Sequence, residues 1–191
     1  MKAVRFAVAA LALVAPLAMA QTSTWKNDPH HSEVDFTIKH LTISNVHGRF
    51  GHIDATINYD EKDITKSTVK ATIDITNLET GEEARDKHLK SPDFFDVEKF
   101  PSATFESTSV TKSGSGLQIA GNLTLKGVTK PVVLDVDGPT GPVQGMDQKP
   151  HVGFEATLTI HRSDFQLGSK FPPAVVGDEV KLTIELDAAK Q

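Results

Sequence analysis

Over eight separate stretches of this 191-residue chain, apolar side chains fall at every second position. A two-residue period is the spacing of an extended strand with one dry and one wet face. From Ser32 to Leu41, Val34, Phe36, Ile38 and His40 share one face, opposite Glu33, Asp35, Thr37 and Lys39. Val46 and Phe50 keep an even phase, whereas Ile53, Ala55, Ile57 and Tyr59 are odd, so the register slips near Gly51. A slip at glycine reads as a bulge that bends a strand, as barrel closure requires. Val69, Ala71, Ile73 and Ile75 make a third strand; Thr22 to Pro29, ahead of the first, has no clear period.

The later stretches repeat the pattern. Ser102 to Thr111, the turn Ser113-Gly114-Ser115-Gly116 and the alternate residues Leu117 to Leu125 read as a hairpin. Gly127 and Pro131 bracket a connection before Val132, Leu134 and Val136. Gly138 to Pro150 is rich in glycine and proline and is expected to be the longest loop. Val152 to Ile160 and Val180 to Leu186 complete eight strands. Many short one-faced strands with a single helical interruption predict an all-β, antiparallel fold, either a sandwich or a barrel. Sequential hairpins, an even strand number and the glycine slip favour the eight-stranded barrel, with the helical insertion between strands 3 and 4.

That insertion, Thr80 to Phe105, gathers charge, His88 and four phenylalanines. It reads as a helix, then a turn opened by Ser91 and Pro92, then an aromatic run. A barrel with contents needs one end covered, and Leu89, Phe94, Phe95 and Phe100 are placed to cover it. Plain packing of these rings onto the barrel end is the competing explanation.

Lys2 and Arg5 precede an apolar run ending in Ala18-Met19-Ala20, so Met1 to Ala20 is expected to be a cleavable signal peptide and 21–191 one domain. Its apolar run is too short to span a bilayer, so no stable membrane insertion is expected after its removal. Without Lys2 and Arg5, 18 basic residues face 25 acidic ones. A net-negative surface disfavours nucleic acid as a partner. There is no cysteine, hence no disulfide framework and no lipid-modified N-terminal cysteine. The periplasm is the expected location, with secretion as the alternative, for a monomer or a homodimer.

Five phrases, in this order, resemble the YceI family of exported lipid-binding proteins. They are His31-Ser32-x-Val34-x-Phe36-x-Ile38-Lys39-His40, Arg85-Asp86-x-His88-Leu89 followed by Phe94-Phe95-Asp96, Phe100-Pro101-x-Ala103-x-Phe105, Gly121-x-Leu123-Thr124-Leu125-x-Gly127-Val128-Thr129-Lys130-Pro131-Val132, and Arg162-Ser163-Asp164-Phe165. The resemblance implies a lipocalin-like barrel in the periplasm whose apolar channel holds a long-chain amphiphile such as a polyisoprenoid, an isoprenoid quinone or a fatty amide. Gln166 departs from the family's usual glycine, which puts the loop from Gln166 to Val176 in question.

The inward-facing set offers the channel wall: Val34, Phe36, Ile38 and Phe50 early, Ile73, Phe105 and Leu123 midway, and Leu134, Phe154 and Leu158 late. Each is an ordinary core residue if the barrel is filled. Arg85, His88 and Arg162 are the candidates for holding a polar head, arginine through its planar fork. No cofactor beyond a bound isoprenoid or other lipid is called for. Eight histidines raise a metal site, but none makes a His-x-x-x-His pair, and His30 and His31 are adjacent. There is no Gly-x-Ser-x-Gly, Glu82 and Glu83 are consecutive rather than facing, and no glycine-rich phosphate loop precedes a helix. The reading is therefore a binding protein without catalytic or metal residues. A metal-dependent or hydrolytic envelope enzyme and a filled-barrel structural stress protein are the alternatives.

Overall fold

The computed structural model describes residues 22–191; the expected signal peptide lies outside the described residues. Among the described residues, ten strands form one antiparallel sheet that closes on itself. β1 (Thr22–Asn27) pairs with β4 (Ile53–Asp60), and the ladder continues through β5 (Thr68–Asp74), β6 (Ser102–Ser113) and β7 (Gly116–Leu125). It runs on through β8 (Val128–Gln144), β9 (Pro150–His161) and β10 (Val176–Lys190), which returns to β1. β2 (Glu33–His40) lies against the first half of β10, and β3 (Ser44–Arg49) lies against β2. β1 and β2 thus share one wall position and β4 and β3 another, which leaves an eight-stranded closed barrel, as expected. The break between β3 and β4 falls at Phe50–His52, where the sequence slips phase at Gly51.

Three expectations change. Thr22 to Asn27 is a strand although only Trp25 in it is buried, because its hydrogen bonds to β4 and β10 close the ring whatever its pattern. The connection expected at Gly127 to Pro131 shrinks to the pair Lys126–Gly127, both at positive φ, a two-residue hairpin geometry. The expected loop from Gly138 to Pro150 is instead strand as far as Gln144, which leaves only 145–149 as turn. Proline is admitted in this strand because most of it is bonded on one side only. Val128–Val136 pairs with β7, and β9 is engaged only from Asp135 onward, through two register shifts.

The helical insertion lies between β5 and β6, as predicted. α1 (Glu83–Lys90) begins at Glu82, whose carboxylate accepts from the Ala84 and Arg85 amides, and stops at Ser91. With the 162–175 connection it covers one end of the barrel. The opposite end carries the hairpin turns at 114–115 and 145–149 and the short 3-10 turn Ile64–Lys66. Along each strand the dry positions face the interior; Val34, Ile75, Leu78 and Phe165 are almost wholly buried there. Full burial of one such side chain contributes about 1.5–3 kcal/mol.

Candidate functional site

The barrel is not filled. Beneath α1 lies a chamber of about 300 Å3, and deeper in the barrel a second of about 120 Å3. Val34, Ile73, Leu123 and Leu182 line both, so the two meet at a waist built from β2, β5, β7 and β10. Apart from Tyr59 and Ser67, every side chain lining the deep chamber is apolar. The chamber under α1 adds Lys39, His40, Arg85, His88 and Arg162 to an otherwise apolar wall. Because Lys39, His40 and His88 are also exposed, they mark where this chamber meets solvent.

Of the expected wall residues, Val34, Phe36, Ile38, Phe50, Ile73, Leu89, Phe94, Phe95 and Leu123 line the chamber under α1. Phe105, Leu134, Phe154 and Leu158 line the deep one. Phe100 lines neither: its ring sits over Gly127, where a β-carbon would collide with it, so it packs the outside of the β7–β8 turn. Ile75, Leu125, Ile160 and Val180 also line the upper chamber and continue the alternation that the named residues follow. Phe171 and Val175 line it too, but they come from an aperiodic segment that carries no sequence signal.

The cover is stitched from three segments. The His88 ring of α1 stands edge-on to Phe94 (5.1 Å) and to Phe171 (5.7 Å), and those two rings stack at 5.4 Å. Asp93 joins the same segments, receiving Lys170 Nζ at 2.6 Å with His88 Nε2 3.7 Å away. The Lys170 bond, with burial opposing it, holds the Asp93 carboxyl below its usual range. Gly168, at positive φ, lets the Phe94 ring close down on the backbone.

Arg162 corrects an expectation. Its guanidinium is buried, and all five N–H groups are used: Nε on Gly177, Nη1 on Leu167 and Gly168, Nη2 on Phe171 and Val176 carbonyls. A guanidinium has five donors and no acceptor, so none remains for a ligand head. Arg162 instead pins the connection that carries Phe171 and Val175. Arg85 differs, since its Nε and Nη2 bond Thr80 while Nη1 has no protein partner among the described residues. Of the three charged candidates, Arg85 and His88 keep access to the mouth.

A second polar cluster lies at the opposite end. His151 is held between Asp187 (2.6 Å) and Asp147 (3.1 Å), and the bond to Asp187 raises its pKa. Asp28 bonds His31 at 2.9 Å. Among the described residues, Asp28, His31 and Asp187 each bring one ligand atom within 4.8 Å of the others, a spacing that can hold a metal ion. Nothing in the spacing of Asp187 from Asp28 and His31 along the chain signals this grouping, because it arises from the pairing of β10 with β1.

With this geometry in hand, comparison with known proteins is decisive. The YceI-like domain model matches residues 25–188. The chain belongs to the YceI family. It is 38% identical over 190 residues to Protein YceI of Salmonella newport (strain SL254), covering 97% of this chain and 96% of the relative. The YceI protein of Campylobacter jejuni is similar in structure, with a TM-score of 0.71 and 35% identity over 81% of this chain and 90% of that one. BcnA of Burkholderia cenocepacia aligns with a TM-score of 0.75 at 25% identity, over 84% and 98% of the two chains. A polyisoprenoid binding domain from Saccharophagus degradans shares the fold, with a TM-score of 0.65 at 16% identity over 90% and 100%.

Proposed function

We propose that this YceI-family barrel binds one long-chain amphiphilic lipid, a polyisoprenoid, an isoprenoid quinone or a fatty amide, without catalysis. Its role is to carry, store or protect that lipid in the cell envelope. The carrying observation is the pair of apolar chambers sharing a waist beneath a mouth edged by Lys39, Arg85 and His88. A tail threading both chambers leaves its polar head at that edge. Burial of about ten methylenes returns about 8 kcal/mol. The cost of association, about 4–15 kcal/mol, favours tails longer than that. Arg85, whose Nη1 has no partner among the described residues, suits an oxyanion head. Support for the ligand class comes from the family and from the Saccharophagus domain of the same fold. Met1 to Ala20 supports export, so the chain is proposed to work in the periplasm.

Gentle purification from the native envelope, organic extraction and mass spectrometry against a matched blank test this reading. One enriched long-chain species in near-equimolar amount is expected. An empty extract that stays empty after isoprenoids are added back to folded protein would sink the proposal. N-terminal sequencing of the envelope protein should begin near Gln21, and a chain that still begins at Met1 would contradict export by cleavage.

A further inference from the structure

Two segments at the chamber mouth carry exposed apolar surface that no other described residue covers. The β2–β3 turn is Leu41-Thr42-Ile43, with Leu41 46% and Ile43 82% exposed. Leu41 and Thr42 both sit at positive φ, a conformation that glycine or asparagine adopts readily and a β-branched threonine resists. A solvent-facing hairpin tip is ordinarily polar, so this one combines strained backbone with uncovered apolar side chains. The Leu41 amide donates to the Val175 carbonyl at 2.9 Å, which joins the turn to Pro172, Pro173 and Ala174, all exposed. Residues 41–46 and 171–177 contain no charged side chain.

The flanks of this lip fit one kind of partner. Lys39 and His40 precede the first segment, in a protein whose charge is otherwise net negative, while Lys170, before the second, is paired with Asp93. Lys39, His40, Val175 and Val176 also line the upper chamber, so the lip is continuous with its opening. We infer that this lip docks on a lipid bilayer bearing anionic headgroups, with Leu41, Ile43 and Ala174 entering the interface and Lys39 at headgroup level. A second copy of the chain fits less well, because a two-fold contact sets the same cations against themselves. Docking in this orientation turns the chamber mouth to the membrane, so a lipid passes between bilayer and barrel without crossing water. The inference rests on the lipid-binding reading.

The test uses exported protein and vesicles of phosphatidylglycerol and phosphatidylethanolamine that contain no isoprenoid. The protein is expected to float with these vesicles, and pure phosphatidylcholine or high salt should release most of it. Ile43→Asp and Ala174→Asp should each lower the bound fraction about tenfold, whereas Met146→Asp, at the far end of the barrel, should not. An Ile43→Trp variant should gain a blue-shifted emission component on vesicles that the single native Trp25 does not produce. Neither Ile43 nor Ala174 lines a chamber, so lipid extracted from the two aspartate variants should match the parent. Flotation that Ile43→Asp leaves unchanged would overturn the docking surface, as would a dimer that the same change splits. Protein that carries lipid yet never floats refutes docking alone, and protein that floats but is always empty refutes the lipid reading alone.

Discussion

The two ends of the barrel are held by different physics. At the α1 end a single buried arginine gathers five backbone carbonyls, and Lys126 adds the Pro92 and Gln166 carbonyls. At the opposite end the contacts are side chain to side chain, His151 between two aspartates and His31 on Asp28. Guanidinium and carbonyl do not titrate near neutrality, whereas imidazole does. The arginine network at the α1 end is therefore indifferent to pH, whereas the His151 contacts at the other end are sensitive to it.

The largest effect is expected from Arg162→Ala, which strands five carbonyls and should lower stability by at least about 3 kcal/mol in urea unfolding. Arg162→Lys, with three donors and no planar fork, should recover only part of that. Stability unaffected by either change would erase the contrast between the ends. Next, Leu123→Trp fills the waist, costs about 1–3 kcal/mol from overpacking, and separates the chambers. Extracted lipid should then shift to shorter tails or fall several-fold in amount, and an unchanged extract would mean that the chambers do not act as one site.

The His151 pair sharpens the contrast through pH. Because its pKa in the folded protein is raised above the ordinary 6.5, its contribution is complete below that value and is lost as pH rises through the folded value. Between pH 6 and 9 the melting temperature should fall by about 2 °C, and His151→Asn should flatten that slope. The smallest effect concerns the outer wall between the ends, where Glu185 pairs across strands with Glu33 on one side and Glu155 on the other. Although Glu185 is an exposed residue, desolvation of its carboxyl, and then the charges of Glu155, Glu33 and Asp35, raise its pKa. Its penalty is thus present at neutral pH and relieved as pH falls toward the ordinary 4.5. Glu185→Gln should stabilise by about 0.5 kcal/mol at pH 7 and by nothing near pH 4, measured by paired denaturation curves.

The deep chamber was legible in the sequence and the cover only in part. Phe105, Leu134, Phe154 and Leu158 sit on strands, where a period of two decides which way each residue faces. Phe171 and Val175 owe their positions to Arg162, a long-range contact that leaves no local period, and Arg162 itself looks from sequence like any ligand-facing arginine. Phe100 misled because it belongs to an aromatic run whose members part company at the Asp96 turn. The strand beyond Val136 was hidden by prolines that only a one-sided ladder tolerates.

That one-sided ladder bears on how the protein behaves at high concentration. Past Val136, β8 offers its outer backbone edge to any passing strand, and an edge of this kind ordinarily recruits other chains into aggregates. Pro139 and Pro142 each remove an amide from it, and Gly138 and Gly141 deny a recruit the side chains it would pack against. The sequence that disguised this strand is also what keeps its edge from becoming a seed.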